Sequence, residues 1–399
     1  MQVRIVVPTY YPASVYGGPT FSIHNTAQAL ARQGVDVRVS TTDANRPHRL
    51  AVPTDKPVPF DDNYEVRYYR ENITDRLSLP FMKAIGDDLA GADIIHLQDV
   101  FSSYALQTLW INRSLDKPII VSPRGVFSAW ALAAGMAPVK KFWIERLFKP
   151  LVRGNRALSW HATSVQEAQD IRSTFPGAEV FTAPNGVELA EFQRVAPLPR
   201  DQWLVRFAPA LGGDRPGLIL LISMGRIHPV KGFDIAVESL AQLITQGKDC
   251  VLIIAGKDDG AKAALKTKAA ALGLADRLHF AGEVLDQSKV EFLSGGDYFL
   301  FPSHSENFGL ACLEAMAAGT PVIASRETPW EEVEAAGAGV WADNNPSAIT
   351  AGVNTLLTKA HAELRANARA LAARYGYEAI AQQFIQQFST MIARARGSR

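Results

Sequence analysis

Two runs of alternating strand and helix patterns limit what this chain can fold into. Short, nearly continuous apolar segments recur through its first half, and amphipathic stretches lie between them. Strands that are apolar on both faces are typical of parallel sheets covered by helices. The alternation therefore predicts an α/β fold with a doubly wound sheet. The predicted strands of this half are 3–7, 35–39, 66–69, 94–97, 119–121, 157–161 and 180–182, and the predicted helices are 20–33, 79–89 and 140–152.

The same pattern starts again after residues 197–217, a stretch rich in proline and glycine that reads as a linker. We therefore expect two similar α/β domains, residues 1–200 and 201–376, with a cleft between them. An amphipathic stretch at 377–394 has no strand after it and is expected to pack back across the domains. The predicted strands of the second half are 218–223, 251–255, 278–280, 298–301 and 322–324, and the predicted helices are 233–246, 261–272 and 310–318.

Charge and composition exclude several classes of function. The chain has 41 Lys and Arg against 40 Asp and Glu, which argues against bulk binding of nucleic acid. The two cysteines, Cys250 and Cys312, are expected to be buried core residues of a reduced compartment. Because no signal peptide, transmembrane run or metal-ligand spacing is evident, the expected location is the cytoplasm and no metal site is predicted.

In open parallel sheets, ligands bind at the carboxyl ends of the strands, so the loops that follow strands are the informative ones. The first is 8–20, in which Gly17 and Gly18 precede a predicted helix. Paired glycines let the backbone approach a ligand, and a helix N-terminus offers N–H groups to an anion. A plain turn explains the same residues equally well. The loop does not match the GxGxxG pattern of dinucleotide sites.

The second loop carries two cations, Arg226 after Gly225 and Lys231 before Gly232. Two positive side chains beside a helix N-terminus suit a diphosphate. The simpler interpretation is a pair of solvated surface cations, which is the commoner fate of Arg and Lys. The position after a predicted strand favours the functional interpretation.

The third loop, 303–314, runs from a predicted strand into a helix and carries Glu306 and Glu314. A carboxylate accepts hydrogen bonds from paired sugar hydroxyls, so the two residues could hold the transferred sugar and the ribose of one ligand. Gly309 allows a tight bend, after which the first amides of the helix are available. The alternatives are a capping role for Glu306 and a solvated helix face for Glu314. A carboxylate among the apolar neighbours of Glu314 nevertheless needs a partner.

The second and third loops together resemble the retaining glycosyltransferases of family 4, which have the GT-B fold. The shared motifs are Gly225-Arg226 with Lys231-Gly232, and the E-x7-E pair Glu306 and Glu314. Residues 184–187 and 280–284 are also similar to family segments, the latter to a loop that holds the nucleobase. The resemblance covers nearly the whole chain. It implies that the first domain binds the acceptor, that the second binds a nucleotide sugar, and that the last helix returns to the first domain.

The resemblance also implies roles for single residues. Arg226 and Lys231 would bind the donor diphosphate, Glu306 would contact the transferred sugar near its reacting carbon, and Glu314 would bind the ribose. Gly18 would approach the phosphate from the first domain, and Gly17 is a candidate contact to sugar or acceptor. The remaining donor contacts would come from the motif glycine, the nucleobase loop and the main chain before the helix: Gly225, Val284, Asn307, Phe308, Gly309 and Leu310.

One position departs from the family pattern. Many members have a histidine after the fifth strand of the first domain, where this chain has Arg124. Arg124 is a candidate for contact with the donor sugar, the phosphate or an anionic acceptor. His96, at the end of another predicted strand, is a second candidate. A buried histidine whose hydrogen bonds are made within the core is an equally good interpretation of His96.

The sequence thus predicts transfer of a hexose from a UDP- or GDP-sugar to a glycan or lipid-linked acceptor, with retention and without a metal. The resemblance to the family implies cell-surface polysaccharide synthesis as the setting. The alternatives are a sugar-nucleotide epimerase of the same architecture and a non-catalytic sugar-nucleotide-binding protein. The basic and aromatic stretch 140–153 suits either an anionic membrane surface or a helix packed on its own domain, and the second interpretation is favoured.

Overall fold

The computed structural model describes residues 1–71, 77–133 and 135–397. The chain divides into two compact units, Met1–Gly186 with Tyr377–Arg399, and Val187–Gly376. Each unit is built around one main sheet with helices on both faces, as the alternating pattern predicts. Both cysteines are buried and free, as expected. In the part of the chain that is described, no helix combines the length and apolar character needed to cross a membrane.

The sheet of the first unit has eight strands in the order β10-β9-β8-β7-β1-β2-β6-β5. The strands of this sheet pair in parallel, except that β5 runs antiparallel to β6. Two further short strands, β3 and β4, form a separate antiparallel pair. The strands are β1 Gln2–Val6, β2 Asp36–Thr42, β3 Ala44–Asn45, β4 His48–Arg49, β5 Pro57–Asp61, β6 Tyr64–Tyr69, β7 Ile94–Gln98, β8 Ile119–Ser122, β9 Leu158–Ala162 and β10 Val180–Thr182.

The helices of the first unit fill the connections between these strands, and three of them begin at serine caps. Ser78, Ser102 and Ser164 each accept a hydrogen bond from a backbone N–H three residues later, which satisfies an otherwise unpaired donor. The predicted single helix at 140–152 is wrong in detail, because a π-helical turn, Trp143–Phe148, separates two short α-helices there. The helices are α1 Gly18–Arg32, α2 Leu79–Ala90, α3 Ser103–Leu115, α4 Ala129–Ala133, α5 Ala137–Phe142, α6 Lys149–Arg153 and α7 Val165–Thr174.

The second unit contains a six-stranded, all-parallel sheet in the order β13-β12-β11-β14-β15-β16. Successive residues of its central strand face opposite helical layers: Leu220 and Ile222 point to one core cluster, and Leu221 points to the other. The strands are β11 Ile219–Met224, β12 Cys250–Ala255, β13 Leu278–Gly282, β14 Tyr298–Phe301, β15 Val322–Ser325 and β16 Gly339–Ala342. The helices are α8 Leu189–Arg194, α9 Arg200–Phe207, α10 Phe233–Thr245, α11 Lys262–Ala271, α12 Asp286–Gly295, α13 Leu310–Ala317, α14 Glu332–Ala335, α15 Pro346–Leu357 and α16 His361–Ala372.

The boundary between the units lies after Gly186, earlier than the predicted position at residue 200. Part of the predicted linker is helical, and it packs on the second unit. Arg200 forms an ion pair with Asp297 at 3.0 Å, and the ring of Trp203 stacks on Phe292 with 5.7 Å between centroids. These contacts explain why a segment rich in proline and glycine belongs to the second unit.

The last helix, α17 Tyr377–Gly397, returns to the first unit, as the resemblance implied. Its buried side chains Ile380, Phe384 and Phe388 join the core that β1 and β2 share with α1. Close packing of aromatic rings therefore ties the end of the chain to its beginning.

Candidate active site

The loops after β11 and β14 meet at the point where the order of the second sheet reverses. From β11 the chain proceeds outward to β12 and β13, and then crosses back to β14 on the other side of β11. The two strands pair in register Leu221 with Tyr298 and Ile222 with Phe299. Such a reversal opens a crevice at the carboxyl ends of the strands, where ligands bind in open α/β sheets. The predicted second and third loops lie at this crevice.

The backbones of these two loops touch, and Gly232 makes the contact possible. Its φ of +63° lies in the left-handed region, and a Cβ atom there would lie 1.9 Å from the carbonyl oxygen of Pro302. Nearby, the N–H of His304 donates to the carbonyl of Val230 at 2.8 Å. Lys231, between these contacts, is thereby held at the end of a short 3-10 turn, Pro229–Lys231, facing the third loop.

The ammonium group of Lys231 forms a short ion pair with the Glu306 carboxylate. The Oγ of Ser303 donates to the same carboxylate oxygen at 3.3 Å. The Lys231 and Glu306 side chains are 19% and 13% exposed, so the pair is accessible but largely shielded from water. The sequence placed both residues in one site, and the structure brings them into direct contact.

The main chain between Glu306 and α13 is held in place by the aromatic core. Phe308 is 6% exposed, and its ring lies 5.1 Å from that of Trp330 and 6.0 Å from that of Tyr375. Gly309 has a φ of +86°, and a Cβ atom there would lie 2.7 Å from the ring of Phe301. The Phe308 side chain is thus packed in the core, so only the backbone of this residue is available for the predicted donor contact. The start of α13 at Leu310 is fixed by these contacts.

The second carboxylate of the E-x7-E pair, Glu314, binds Lys289 of α12 at 2.6 Å. Both side chains are about one-fifth exposed, at 20% for Glu314 and 21% for Lys289. The Lys289 ammonium also lies 5.9 Å from the ring of Phe192. Burial alone would lower the pKa of Lys289, but Glu314 together with Glu191 raises it above its usual value. Glu314 therefore has the partner that its apolar surroundings require.

Sequence reasoning missed Lys289. It lies on a helix that was not predicted, in a stretch of ordinary amphipathic composition. The one available signal was the requirement that Glu314 needs a partner, and that requirement does not say where along the chain the partner lies.

Arg226 points to a different carboxylate, that of Asp259, at 2.6 Å. The side chains are 57% and 45% exposed, so the guanidinium remains accessible to a ligand. The loop is held by a backbone bridge between Ile227 and Asp258. The chain turns at Asp258 and Asp259, where Oδ1 of Asp258 accepts from Gly260 N–H at 3.1 Å. The role of Asp259 as partner of Arg226 was not predicted.

The structure places two further predicted donor contacts, Val284 and Gly225, differently. Val284 is 7% exposed and packs in a core cluster of the second unit, so a nucleobase could reach only its main chain. Gly225 sits directly after β11 with Lys231 as its near neighbour, its missing Cβ being 3.6 Å from Cε of Lys231. Gly225 thus belongs to the same loop as the cation, as the motif implied.

Arg124, a candidate in the first unit, is held by two side-chain hydrogen bonds. Its Nε donates to Oε1 of Gln98 and its Nη1 donates to Oδ1 of Asn185, both at 2.8 Å. Asn185 also accepts from the hydroxyl of Ser22 at 2.6 Å. Burial lowers the pKa of Arg124 to about 10, although Glu167 opposes that shift. The guanidinium is therefore positioned by hydrogen bonds at the carboxyl end of β8 and stays protonated near neutral pH.

His96 is a core residue, which decides between its two interpretations. It is 1% exposed, its Nε2 shares a hydrogen bond of 2.8 Å with the Ser122 hydroxyl, and its ring lies 5.4 Å from that of Phe384. The Ser122 hydroxyl in turn contacts Nδ1 of His161 at 2.8 Å. Burial holds the pKa of His96 well below its usual value. A neutral, enclosed imidazole of this kind cannot contact an acceptor.

The paired glycines of the first loop lie at the start of α1. Gly17 has a φ of +74° and precedes the helix, and Gly18 is its first residue and is exposed. A Cβ atom at Gly17 would have no heavy atom within 4 Å. The backbone here is thus open to approach, which fits a ligand contact and a plain turn alike.

Comparison with known proteins decides the family. Residues 16–191 match the family description "Glycosyltransferase Family 4", and residues 212–374 match "Glycosyl transferases group 1". The chain belongs to the family 4 glycosyltransferases. The two matches together span both units, so the family assignment rests on the donor loops and on the first unit alike.

Among curated family members, a GDP-mannose-dependent alpha-(1-6)-phosphatidylinositol dimannoside mannosyltransferase of Mycobacterium tuberculosis is 32% identical over 54% of this chain and 53% of its own length. An alpha-monoglucosyldiacylglycerol synthase of Streptococcus pneumoniae is 27% identical over 81% of this chain and 71% of its own length. The match to the first of these relatives thus spans about half of that relative's length.

Solved structures show that the fold is GT-B. A sucrose-phosphate synthase from Thermosynechococcus elongatus superposes with a TM-score of 0.72 at 18% identity, over 98% of this chain and 99% of its own. The Anabaena protein HepE, solved in complex with UDP, superposes with the same TM-score and identity over 98% and 100%. At this level of identity the likeness establishes architecture alone.

Proposed function

We propose that this family 4 member transfers a hexose, with retention, from a UDP- or GDP-sugar to a glycan or lipid-linked acceptor in cell-surface polysaccharide synthesis. The observation that carries the proposal is the contact of Lys231 with Glu306 at the crevice of the second unit. A cation and a carboxylate side by side match the two charges of a sugar–diphosphate bond as it breaks. The relatives' names, which include GDP-mannose and lipid acceptors, support the substrate classes.

The reaction breaks the bond between the anomeric carbon and the diphosphate oxygen, and the electron pair leaves with the diphosphate. An acceptor hydroxyl oxygen forms the new bond to the anomeric carbon, and its proton passes to the departing phosphate. In the transition state the sugar carries positive charge and the diphosphate gains negative charge. Attack from the side of the leaving group gives retention of configuration.

Lys231 and Arg226 supply the positive charge at the diphosphate in this proposal. Each now faces a carboxylate, so each is already held in the crevice before a donor binds. A pre-positioned cation stabilises a developing anion without the cost of reorganising the side chain. Glu306 lies beside Lys231, where its negative charge would stabilise a cationic sugar. Glu314, held by Lys289, would accept hydrogen bonds from the ribose hydroxyls.

The proposal assigns no metal cofactor to the reaction. Arg226 and Lys231 perform the charge neutralisation for which other enzymes use a divalent ion. In the described part of the chain, no group of three or more His, Cys, Asp or Glu side chains is arranged to hold a metal. The test is donor turnover in the presence of EDTA. Loss of activity with EDTA, restored by a divalent ion, would overturn the metal-independent step.

In the first unit, Arg124 is the candidate for binding an anionic group of the donor or of the acceptor. Its hydrogen bonds to Gln98 and Asn185 leave a fixed positive charge after β8. Arg124→Lys keeps the charge and loses the forked geometry, so we expect the KM for donor or acceptor to rise. The substrate whose KM changes identifies which of the two Arg124 binds.

The experiment that tests the proposal begins with the purified full chain and a set of UDP- and GDP-sugars in a thermal-shift assay. A selective ligand raises the unfolding temperature by mass action and identifies the donor. Turnover of that donor is then measured for Glu306→Ala and Lys231→Ala. Each is expected to lose on the order of 10²–10³ in kcat. Glu363→Ala and Lys359→Ala, exposed residues of the same unit, are the matched controls.

The products distinguish the alternatives. NMR of the product reports whether the anomeric configuration is retained. Full activity in both Glu306→Ala and Lys231→Ala would refute the site. Conversion of the donor to an isomeric sugar nucleotide without any acceptor would identify an epimerase. Tight donor binding with no turnover, for any acceptor class tried, would identify a binding protein.

A further inference from the structure

The backbone at Arg124 has a conformation that is unfavourable for a residue other than glycine. Arg124 has a φ of +59° and Gly125 has a φ of +80°, so two successive residues after β8 lie in the left-handed region. A Cβ atom disfavours this region, and a residue that carries one stays there only where the surrounding structure holds it. The turn at Arg124 therefore needs partners, and those partners also set the position of the guanidinium.

The partner of this turn is Glu167, the third residue of α7. Its Oε1 accepts from the N–H of Gly125 at 2.6 Å, and its Oε2 accepts from the N–H and the hydroxyl of Thr163 at 2.7 and 2.8 Å. Glu167 is 2% exposed, so its carboxylate is stabilised by these three donors and not by water. Glu167 thus connects the loop after β8 to the loop after β9.

A capping role for Glu167 explains only part of this arrangement. Ser164 caps α7, because its Oγ accepts from the N–H of Glu167 at 3.1 Å. A glutamate three residues after such a serine ordinarily turns back to the N–H of the cap and satisfies the helix end. Here one carboxylate oxygen remains near the helix end, on Thr163, and the other leaves the helix for Gly125. Capping of α7 does not require that second contact.

The guanidinium of Arg124 reaches neutral acceptors from the turn that Glu167 holds. These acceptors are the amide oxygens of Gln98 and Asn185, both at 2.8 Å. The negative charge of Glu167 raises the pKa of Arg124 and so opposes the larger effect of burial. Because amide oxygens occupy the two positions at the guanidinium, its positive charge remains available to an anionic ligand.

We propose that Glu167 is a positioning residue for Arg124, because its contact with Gly125 holds the turn that fixes the direction of the guanidinium. This inference rests on the proposed function in one respect, namely that Arg124 binds an anionic group of the donor or of the acceptor. Glu167 is buried and acts through Arg124. Its removal should therefore weaken the binding of the substrate that Arg124 contacts.

The test uses the purified full chain and the substrate whose KM changes in Arg124→Lys. Glu167→Gln keeps the size of the side chain but has one oxygen in place of two, so either Gly125 or Thr163 loses its acceptor. We expect the KM for that substrate to rise about tenfold, which is the effect of about one hydrogen bond to a charged group. The kcat should change little, because the lost contact binds substrate and transition state alike.

Ser164→Ala is the matched control, because it removes the cap of the same helix and leaves the contact with Gly125 in place. Both variants should lower the unfolding temperature, and only Glu167→Gln should raise the KM. An equal rise in Ser164→Ala, or an unchanged KM in a folded Glu167→Gln chain, would refute the proposal. If circular dichroism shows that Glu167→Gln does not fold, Glu167→Asp replaces it with the same expected results, because it withdraws the carboxylate by one methylene group.

A double-mutant cycle shows whether Glu167 acts through Arg124. In an Arg124→Ala chain, Glu167→Gln should have no further effect on the KM, because the group that it positions is absent. Independent effects of the two changes would refute the positioning role. A raised KM in Arg124→Ala with a normal KM in Glu167→Gln would refute the positioning role alone. A chain that turns over no nucleotide sugar would refute the proposed function and, with it, this role of Glu167.

Discussion

Lys289→Met removes the ammonium that holds Glu314 and keeps most of the apolar stem beside Phe192. The pair has an N–O distance of 2.6 Å and both side chains are about 20% exposed, so solvent screens it only partly. A hydrogen bond between charged groups in such a setting contributes about 1.5–3 kcal/mol. The variant also leaves Glu314 without its partner among apolar neighbours. We therefore expect a loss of about 2 kcal/mol in the free energy of unfolding.

The loss has two readouts. The second unit spans Val187–Gly376, a size at which 1 kcal/mol shifts the Tm by roughly 2–4 °C, so the expected decrease is about 4–8 °C. Donor kinetics should show a KM raised about tenfold with kcat changed little, because Glu314 is proposed to bind ribose and not the reacting carbon. Lys268→Met is the matched control. It breaks a more exposed Lys–Glu pair with Glu238 in the same unit, whose side chains are 35% and 42% exposed, so at most about 1 kcal/mol is expected.

The stabilisation by the Lys289–Glu314 pair should depend on pH in a defined direction. Glu314 raises the pKa of Lys289 above its usual value of 10.5, so the folded state holds this proton more tightly than the unfolded state. The stabilisation is complete below pH 10.5 and is lost as pH rises through the folded pKa. The Tm difference between wild type and Lys289→Met should therefore narrow in alkaline solution. An unchanged Tm and an unchanged donor KM at neutral pH would refute the reasoning for this pair.

Three further changes test the packing of the two units. Gly232→Ala places a methyl group 1.9 Å from the Pro302 carbonyl oxygen and should lower the free energy of unfolding, measured with denaturant, by about 3 kcal/mol. The control Gly247→Ala has a φ of +78° but lies in open space, so it should lower the same quantity by only about 1 kcal/mol. Equal losses in the two variants would exclude the clash. Phe384→Ala should destabilise the first unit by about 3–5 kcal/mol in the same measurement, and a cost below about 1 kcal/mol would mean that α17 is not part of this core. Burial lowers the pKa of His161 from 6.5 to about 3, so the unfolded state takes up a proton before the folded state does as the pH falls. Below pH 6.5, His161 should therefore lower the free energy of unfolding by up to about 1.4 kcal/mol per pH unit. His161→Gln should flatten the pH dependence of Tm between 6.5 and 3, and an equally steep profile would contradict the assignment.

Much of the architecture could be predicted from the sequence because parallel strands covered on both faces appear as continuous apolar runs. The apolar run that became β12 is buried at every position, and such a run fits only a sheet covered on both faces. The predicted strands all correspond to observed ones. Helices were less visible, and several were not predicted. Two of these, α12 and α16, have few apolar positions, which are interrupted by polar ones. Edge strand β5, with two prolines, was also missed.

The positions of the chemical groups along the loops could be predicted, and their partners could not. Arg226, Lys231, Glu306 and Glu314 were identified by residue type, by spacing and by resemblance to a family. That Lys231 meets Glu306 follows from the crossover that places β14 beside β11. Pairing across such a crossover depends on the whole sheet, so no local pattern contains it.

His96 also shows that a local pattern does not identify the neighbours of a residue. A histidine at the end of a strand reads equally well as a ligand contact and as a core residue. The packing of Phe384 and Phe388, nearly three hundred residues further along the chain, encloses its ring and decides the matter. The sequence around His96 does not predict these neighbours, because they reach it only when α17 packs on the first unit.

The sequence alone therefore determined the fold class, the family and the loops that carry charge, because hydrophobic periodicity and motif spacing are local properties of the chain. Only the tertiary structure decided which charges are paired, which candidates are enclosed in the core, and where one unit ends. It also showed that Trp143 anchors the segment 137–153 to the first unit and that Glu167 reaches the turn at Arg124. Those properties depend on burial and distance, which arise when segments far apart in sequence pack together.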